Sequence, residues 1–197
     1  MCNNKLNKRQ VQAQMTKEKI YLTALRLIEK NGFENITVEE ICKTASVSIG
    51  SFYNCFKSKN DILNEIYRVA DDYFLDTVAS DLKKGNMEDK IAKFFSYYAQ
   101  YNLSRGITFM RHLYNSKNKL FITKGRHMQN VLENVIEEGQ ASGEISNHMS
   151  PRGIVEYLFI AARGLVYDWC LHNGEYDLVE HMYEYMKPLI KIFIVTI

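Results

Sequence analysis

The sequence predicts an all-α protein of nine helices, with an N-terminal three-helix domain over residues 1–60 and a larger helical domain over residues 61–197. Three observations carry this. Apolar residues recur every three or four positions and few runs alternate at period two. Only two prolines, Pro151 and Pro188, interrupt 197 residues. Glycines at 85, 106, 143 and 174 fall between the periodic segments, where helices end.

The first helix is read over Thr16–Asn31, with Ile20, Ala24, Leu27 and Ile28 on one face, Thr16 as N-cap and Gly32 just past the end. Thr37-Val38-Glu39-Glu40 has the form of a capping box and opens a short second helix that runs to about Ala45. Ser46-Val47-Ser48 breaks the pattern, and Ser48 caps a third short helix through Phe56. Two short helices joined by a three-residue turn form a helix-turn-helix. Ser58 and Asp61 start a long fourth helix through Ile66, Tyr67 and Phe74 toward Leu82. Helices are then expected near residues 88–104, 106–116, 120–141, 151–173 and 177–195.

Composition narrows the classes. Residues 1–60 carry ten Lys and Arg against five Asp and Glu, a net +5, whereas the remainder carries −3, so a chain of net charge +2 concentrates its positive field in its first third. The N-terminal residues are too polar for a secretory leader and no apolar run reaches membrane length, which predicts a cytoplasmic protein without a membrane partner. Cys2, Cys42, Cys55 and Cys170 lack a C-x-x-C spacing and read as reduced thiols. No nucleophile-elbow or other catalytic string occurs, so no enzyme activity is expected, and no cofactor. His112, His127, His148, His172 and His181 form no i, i+4 pair; a metal- or redox-responsive regulator using His and Cys of the C-terminal domain is the alternative reading.

The stretch Val47-Ser48-Ile49-Gly50-Ser51-Phe52-Tyr53-Asn54-Cys55-Phe56-Lys57-Ser58-Lys59, following Thr37-Val38-Glu39-Glu40-Ile41, resembles the helix-turn-helix of the TetR family of bacterial regulators. The likeness covers roughly residues 16–65. It implies a double-stranded DNA operator as partner, with Thr37, Ser48, Gly50, Ser51, Tyr53 and Lys59 on the DNA and Ile49 and Asn54 setting sequence preference. Elementary chemistry agrees: hydroxyls and helix N-termini suit phosphate oxygens, and a small residue such as Gly50 admits the backbone to base edges. Three positions depart from the family pattern. Cys42 stands for the commoner Ala, Ser46 stands where Gly is usual, and Ile49 replaces a polar residue and suits only thymine methyls. The basic extension with Lys5, Lys8, Arg9, Lys17 and Lys19 is either an arm reaching phosphates or minor groove, or a solvated tail.

The resemblance also implies a C-terminal domain that dimerises and binds a small molecule, so that a repressor is released from a palindromic operator. Residues 151–173 are apolar on nearly every side, and the last helix carries a broad apolar band; a homodimer would cover the excess. The expected dimer residues are Leu158, Ala162, Val166, Trp169, Met182, Tyr183, Met186 and Ile190. Phe94, Tyr98, Tyr101, Phe109, Met110, Leu113, Met128, Tyr157 and Arg163 are either ordinary core or the lining of a cavity for an apolar or aromatic effector of unknown identity, with Arg163 as a counter-charge.

Overall fold

A computed structural model describes residues 7–115, 118–123 and 125–195, and within these Leu120 by its backbone alone. Nine helices run through the described residues. They are α1 (Lys8–Asn31), α2 (Val38–Ala45), α3 (Ile49–Cys55), α4 (Asn60–Tyr73, continued by a π-helical turn Phe74–Val78 and a last turn Ala79–Asp81), α5 (Met87–Arg105), α6 (Ile107–Leu113), α7 (His127–Ser142), α8 (Pro151–Leu171) and α9 (Leu178–Lys191). The chain divides into two compact units, Met1–Tyr67 and Arg68–Ile197, with the division inside α4.

In the first unit, α1 begins two turns earlier than Thr16. Asn7 is the N-cap: its Oδ1 accepts the Gln10 amide at 2.8 Å while Gln10 Oε1 accepts the Asn7 amide at 2.8 Å. Thr16 lies inside the helix and its hydroxyl donates back to the Gln12 carbonyl. Lys8 and Arg9 are therefore helical and exposed; Lys5 and Cys2 lie outside the described residues. Ile20, Ala24 and Ile28 of α1 pack with Ile36, Ile41, Ala45, Phe52, Phe56 and Ile62 into one core, each fully or nearly fully buried.

In the second unit, α5 packs along α9, α7 along α8, and α8 along α9. Three of the expected ends shift. The segment read as the start of a helix near 120 is a 3₁₀ turn, Lys119–Ile122, and Gly125 at φ +76° separates it from α7. The sixth helix stops at Leu113. The last helix stops at Lys191, after which Phe193–Val195 pairs with Glu144–Ser146: the Ser146 amide donates to Phe193 O at 2.8 Å and the Val195 amide to Glu144 O at 2.9 Å. Serine N-caps α8 through Ser150, with Pro151 at its first turn, and Asp177 caps α9.

Candidate nucleic-acid interface and effector recess

The turn between α2 and α3 is set by three short-range features. Thr37 Oγ1 accepts the Glu40 amide at 3.1 Å and starts α2. The reciprocal half of the predicted capping box is replaced by a longer link, since Glu40 Oε1 accepts from Asn31 Nδ2 at 3.3 Å and ties α2 to the end of α1. Ser46 ends α2 in the left-handed conformation, φ 51° and ψ 50°, its amide donating to Lys43 O and the next amide to Cys42 O. An L-residue there carries about 1–2 kcal/mol of strain that glycine would lack. Ser48 Oγ then accepts the Ser51 amide at 3.0 Å and lies 2.8 Å from Ser51 Oγ, so both hydroxyls are fixed at the start of α3.

Amphipathic burial decides which side of α3 is presented. Phe52 is fully buried and its ring tilts against Phe56, anchoring α3 to the core. On the other side Ile49 is 48% exposed and Tyr53 53% exposed, with Gly50 and Asn54 exposed between them. A Cβ placed on Gly50 would meet nothing closer than Ser48 Oγ at 3.8 Å, so neither backbone conformation nor packing within the chain calls for glycine.

Lys59 is placed differently from its expected neighbours. Its ammonium donates to Phe33 O and Ile36 O, each at 2.9 Å, and to Glu34 O at 3.5 Å, and sits 4.6 Å from the Phe33 ring centroid. These carbonyls belong to the 3₁₀ turn Phe33–Asn35 and its flanks, which connect α1 to α2. The cation therefore holds that turn to the start of α4 within the same unit, a role that nothing in the sequence around Lys59 announces.

In the second unit, Phe94, Tyr98, Phe109, Met110, Leu113 and Met128 are buried. Phe94 stands against Phe74, Phe95 and Phe159, and Tyr98 against Phe95 and Phe159, with ring centroids 5.0–6.4 Å apart. Burial pushes the Tyr98 hydroxyl's pKa up, and the hydroxyl shares a 2.8 Å hydrogen bond with Tyr114. Burial likewise raises Tyr101, which lies under the Arg105 guanidinium at 4.7 Å. Tyr157 packs edge-on against Phe193, on the side of α8 away from this cluster.

Among the described residues, two recesses lie along α8, bounded on the other side by Tyr114, Asn115, Asn118 and Phe121–Thr123. One recess of about 190 Å³ is lined by Phe121, Ile122, Thr123, Gln129, Arg152, Val155, Glu156, Phe159, Ile160 and Arg163. A wider one of about 560 Å³ is lined by Tyr114, Asn115, Asn118, Phe121, Arg163, Gly164 and Tyr167. They meet at Phe121 and Arg163, whose guanidinium donates to the Phe121 carbonyl. Of the expected effector residues, Arg163 alone lines these two recesses. Arg152, which lines the smaller one, donates to Glu133 at 2.8 Å and Gln129 at 2.9 Å and lies 3.9 Å from the Glu156 carboxylate. The signal for this site was the 152, 156, 159, 163, 167 spacing, which puts two arginines and aromatic rings on one flank of α8.

The expected dimer residues also turn inward. Leu158, Ala162, Val166, Trp169, Met182, Met186 and Ile190 are buried in the core of their own chain, and only Tyr183 is exposed, where it meets Lys187. The apolar surface that α8 leaves outside is Tyr157, Ile160, Tyr167 and Leu171, spaced three, seven and four apart, with Ile160 at 64% and Leu171 at 60% exposure; α9 adds Tyr185, and Ile192 follows its end. A helix apolar all round needs two surfaces, and the sequence alone does not say which stripe faces which.

Among the described residues no group of three or more His, Cys, Asp or Glu side chains is placed to hold a metal ion. Cys42, Cys55 and Cys170 are free thiols, each with its pKa raised by burial, Cys170 to about 11. Nor is any helix among them long and apolar enough to cross a membrane.

Residues 20–66 match the family profile of bacterial regulatory proteins of the tetR family, and residues 111–192 match that of the YsiA-like protein C-terminal region. The chain is 31% identical over 167 residues to the fatty acid metabolism regulator protein of Bacillus subtilis, an alignment covering 79% of this chain and 84% of the relative. The crystal structure of the transcriptional regulator FadR from Bacillus subtilis in complex with stearoyl-CoA superposes with a TM-score of 0.70 at 27% identity, over 88% of this chain and 97% of that one. The fatty acid degradation regulator FadR from Bacillus halodurans shares the fold, with a TM-score of 0.71 at 19% identity over 87% and 94%. With its helix-turn-helix and its C-terminal helical domain both accounted for, the chain belongs to the TetR family of bacterial regulatory proteins, DNA-binding transcriptional regulators that are not enzymes.

Proposed function

We propose that the protein is a homodimeric repressor that holds a two-fold palindromic operator through α3 of each subunit and releases it when a long-chain acyl thioester occupies the recess beside α8. The observation that carries the DNA half is the two-sided burial of α3: Phe52 and Phe56 lock it into the core, leaving Ile49, Gly50, Tyr53 and Asn54 outward behind the serine pair Ser48 and Ser51. Thr37, Ser48, Ser51 and Tyr53 serve as phosphate donors, and Gly50 allows close approach. Ile49 and Asn54 read bases. Lys59 acts by bracing the connection between α1 and α2.

For the effector, Arg163 beside aromatic and aliphatic walls suits an amphipathic molecule with an apolar chain and an anionic head, while Arg152 is paired with Glu133 and Glu156. A relative named for fatty acid metabolism and a neighbour solved with stearoyl-CoA point to the same chemical class. The second subunit covers the stripe of Tyr157, Ile160, Tyr167 and Leu171, since an apolar patch of that extent is costly in water.

Selection from random duplex DNA tests the reading: an inverted repeat is expected, with half-sites about one helical turn or a small multiple apart. Stearoyl-CoA at micromolar concentration then lowers affinity for that duplex, and octanoate does not. Tyr53→Ala weakens binding to every duplex and flattens its salt dependence. The double variant Ile160→Glu, Leu171→Glu sediments as a monomer. A selection without a repeat, or a wild-type monomer at operator-binding concentrations, refutes it.

A further inference from the structure

α8 carries a glycine that its own chain does not explain. Gly164 stands inside a helix of 21 residues, exposed, and a Cβ built there would meet nothing within 4 Å. Glycine weakens a helix interior relative to alanine, because it loses more backbone freedom on folding. Neither a positive φ nor a packing contact within the chain offsets that cost. A bare position on an exposed helix face lets another molecule come close to the backbone.

Two features meet at this position. Gly164 lines the wider recess of about 560 Å³ beside Arg163, and Tyr167, which lines it too, is also part of the exposed apolar stripe. At about 100° per residue, Tyr157, Ile160, Tyr167 and Leu171 all fall within about 60° of Gly164 around the helix, and Arg163 lies about 40° beyond Tyr167. Stripe and recesses therefore share an edge, at Ile160 for the smaller one and at Gly164 and Tyr167 for the wider one. The stripe is also nearly symmetric along the helix: Tyr157 and Leu171 lie seven residues before and after Gly164, Ile160 four before and Tyr167 three after. A surface that meets its own copy across a two-fold axis must be self-complementary, and a stripe centred on a glycine gives two such helices a crossing point where their backbones approach.

We infer that the wider recess is a composite site: the stripe of a second copy, crossing at Gly164, closes it over Gly164 and Tyr167, so that one ligand touches both subunits and ligand binding and dimerisation strengthen each other. The inference rests on the proposed reading, which assigns the recess to the effector and the stripe to a second subunit; that reading by itself leaves each ligand within one chain. Arg163 of one subunit faces the anionic group, and the apolar stripe of the other removes part of the ligand's chain from water. A ligand in contact with both surfaces couples the two events, and the coupling is reciprocal.

The test uses the full-length protein with stearoyl-CoA as the probe. The double variant Tyr157→Glu, Leu171→Glu places charge in the stripe at two residues that line neither recess. It is expected to sediment as a monomer and, in equilibrium dialysis, to bind stearoyl-CoA about tenfold more weakly than wild type, within the usual range of coupling between sites. Reciprocally, saturating stearoyl-CoA is expected to lower the wild-type dimer dissociation constant, read by sedimentation, by about tenfold or more. That second readout needs no variant, so it stands even if the double substitution disturbs folding. A wild-type dimer whose dissociation constant ignores bound stearoyl-CoA, or a folded monomeric variant that binds it at wild-type strength, has a site complete within one chain and overturns the inference. Failure of the underlying reading looks different. A wild type that is monomeric at operator-binding concentrations removes the dimer, and this site with it. If stearoyl-CoA does not bind wild type, the effector class is wrong, and hydroxyl-radical labelling without ligand still decides the closure. Tyr167, 49% exposed in one chain, is expected to label severalfold more slowly in the wild-type dimer than in the double variant, and equal rates overturn the inference.

Discussion

Lys59→Met separates two accounts of one cation. The substitution keeps the aliphatic stem and deletes the ammonium, which donates to two carbonyls at 2.9 Å and a third at 3.5 Å. Hydrogen bonds to a charged group contribute about 1.5–3 kcal/mol each when buried. Two good ones at a half-buried site, partly replaced by water in the variant, give a loss of roughly 2 kcal/mol. For a domain of this size that lowers the melting temperature by about 8–16 °C. A phosphate contact behaves otherwise: each one lost reduces the slope of log K against log salt by about 0.9, hence by roughly 1.8 in a dimer. The expected result is a lowered melting temperature with a salt slope unchanged below that temperature, read by circular dichroism and by fluorescence anisotropy of labelled operator from 50 to 300 mM salt. A slope reduced by about 1.8 with unaltered melting would refute the bracing role and return Lys59 to the DNA.

Two other outcomes are accessible to simple measurements. Gly50→Ala should raise stability by about 0.5–1 kcal/mol through helix propensity, since its Cβ meets only Ser48 Oγ at 3.8 Å, yet lower operator affinity about tenfold by placing a methyl against the DNA; a variant as tight as wild type would remove Gly50 from the interface. Cys170, its pKa raised to about 11 by burial, should resist a chromogenic disulfide at pH 8 until the protein unfolds. Because the folded state holds this proton more tightly, the associated stability is intact below the ordinary thiol value of 9.0 and declines as pH rises through about 11. Fast modification of Cys170 in the native protein at pH 8 would contradict its burial.

The helix-turn-helix was legible because its determinants are local. Thr37, Ser48 and the break at Ser46 act on amides three residues away or on their own backbone angles, so residue type and spacing carry nearly all the information. The same locality explains the miss at α1, where Asn7 and Gln10 form a complete box that outcompetes Thr16 as the start. Composition and periodicity likewise determined the all-α class and the helix count.

Only the tertiary structure decided which faces point inward. Leu158 and Ile160 are equally apolar and two positions apart, yet one is buried and the other 64% exposed. On a helix that is hydrophobic all round, that choice belongs to the neighbours and leaves no periodic trace. The same holds for contacts across long stretches of chain: Lys59 with the carbonyls before α2, Asp71 with Arg126, Arg163 with Phe121. Each pairs a charge with a partner 23 to 55 residues away. A charged residue in a sequence announces that it needs a partner or water; which of the two it has is a property of the fold.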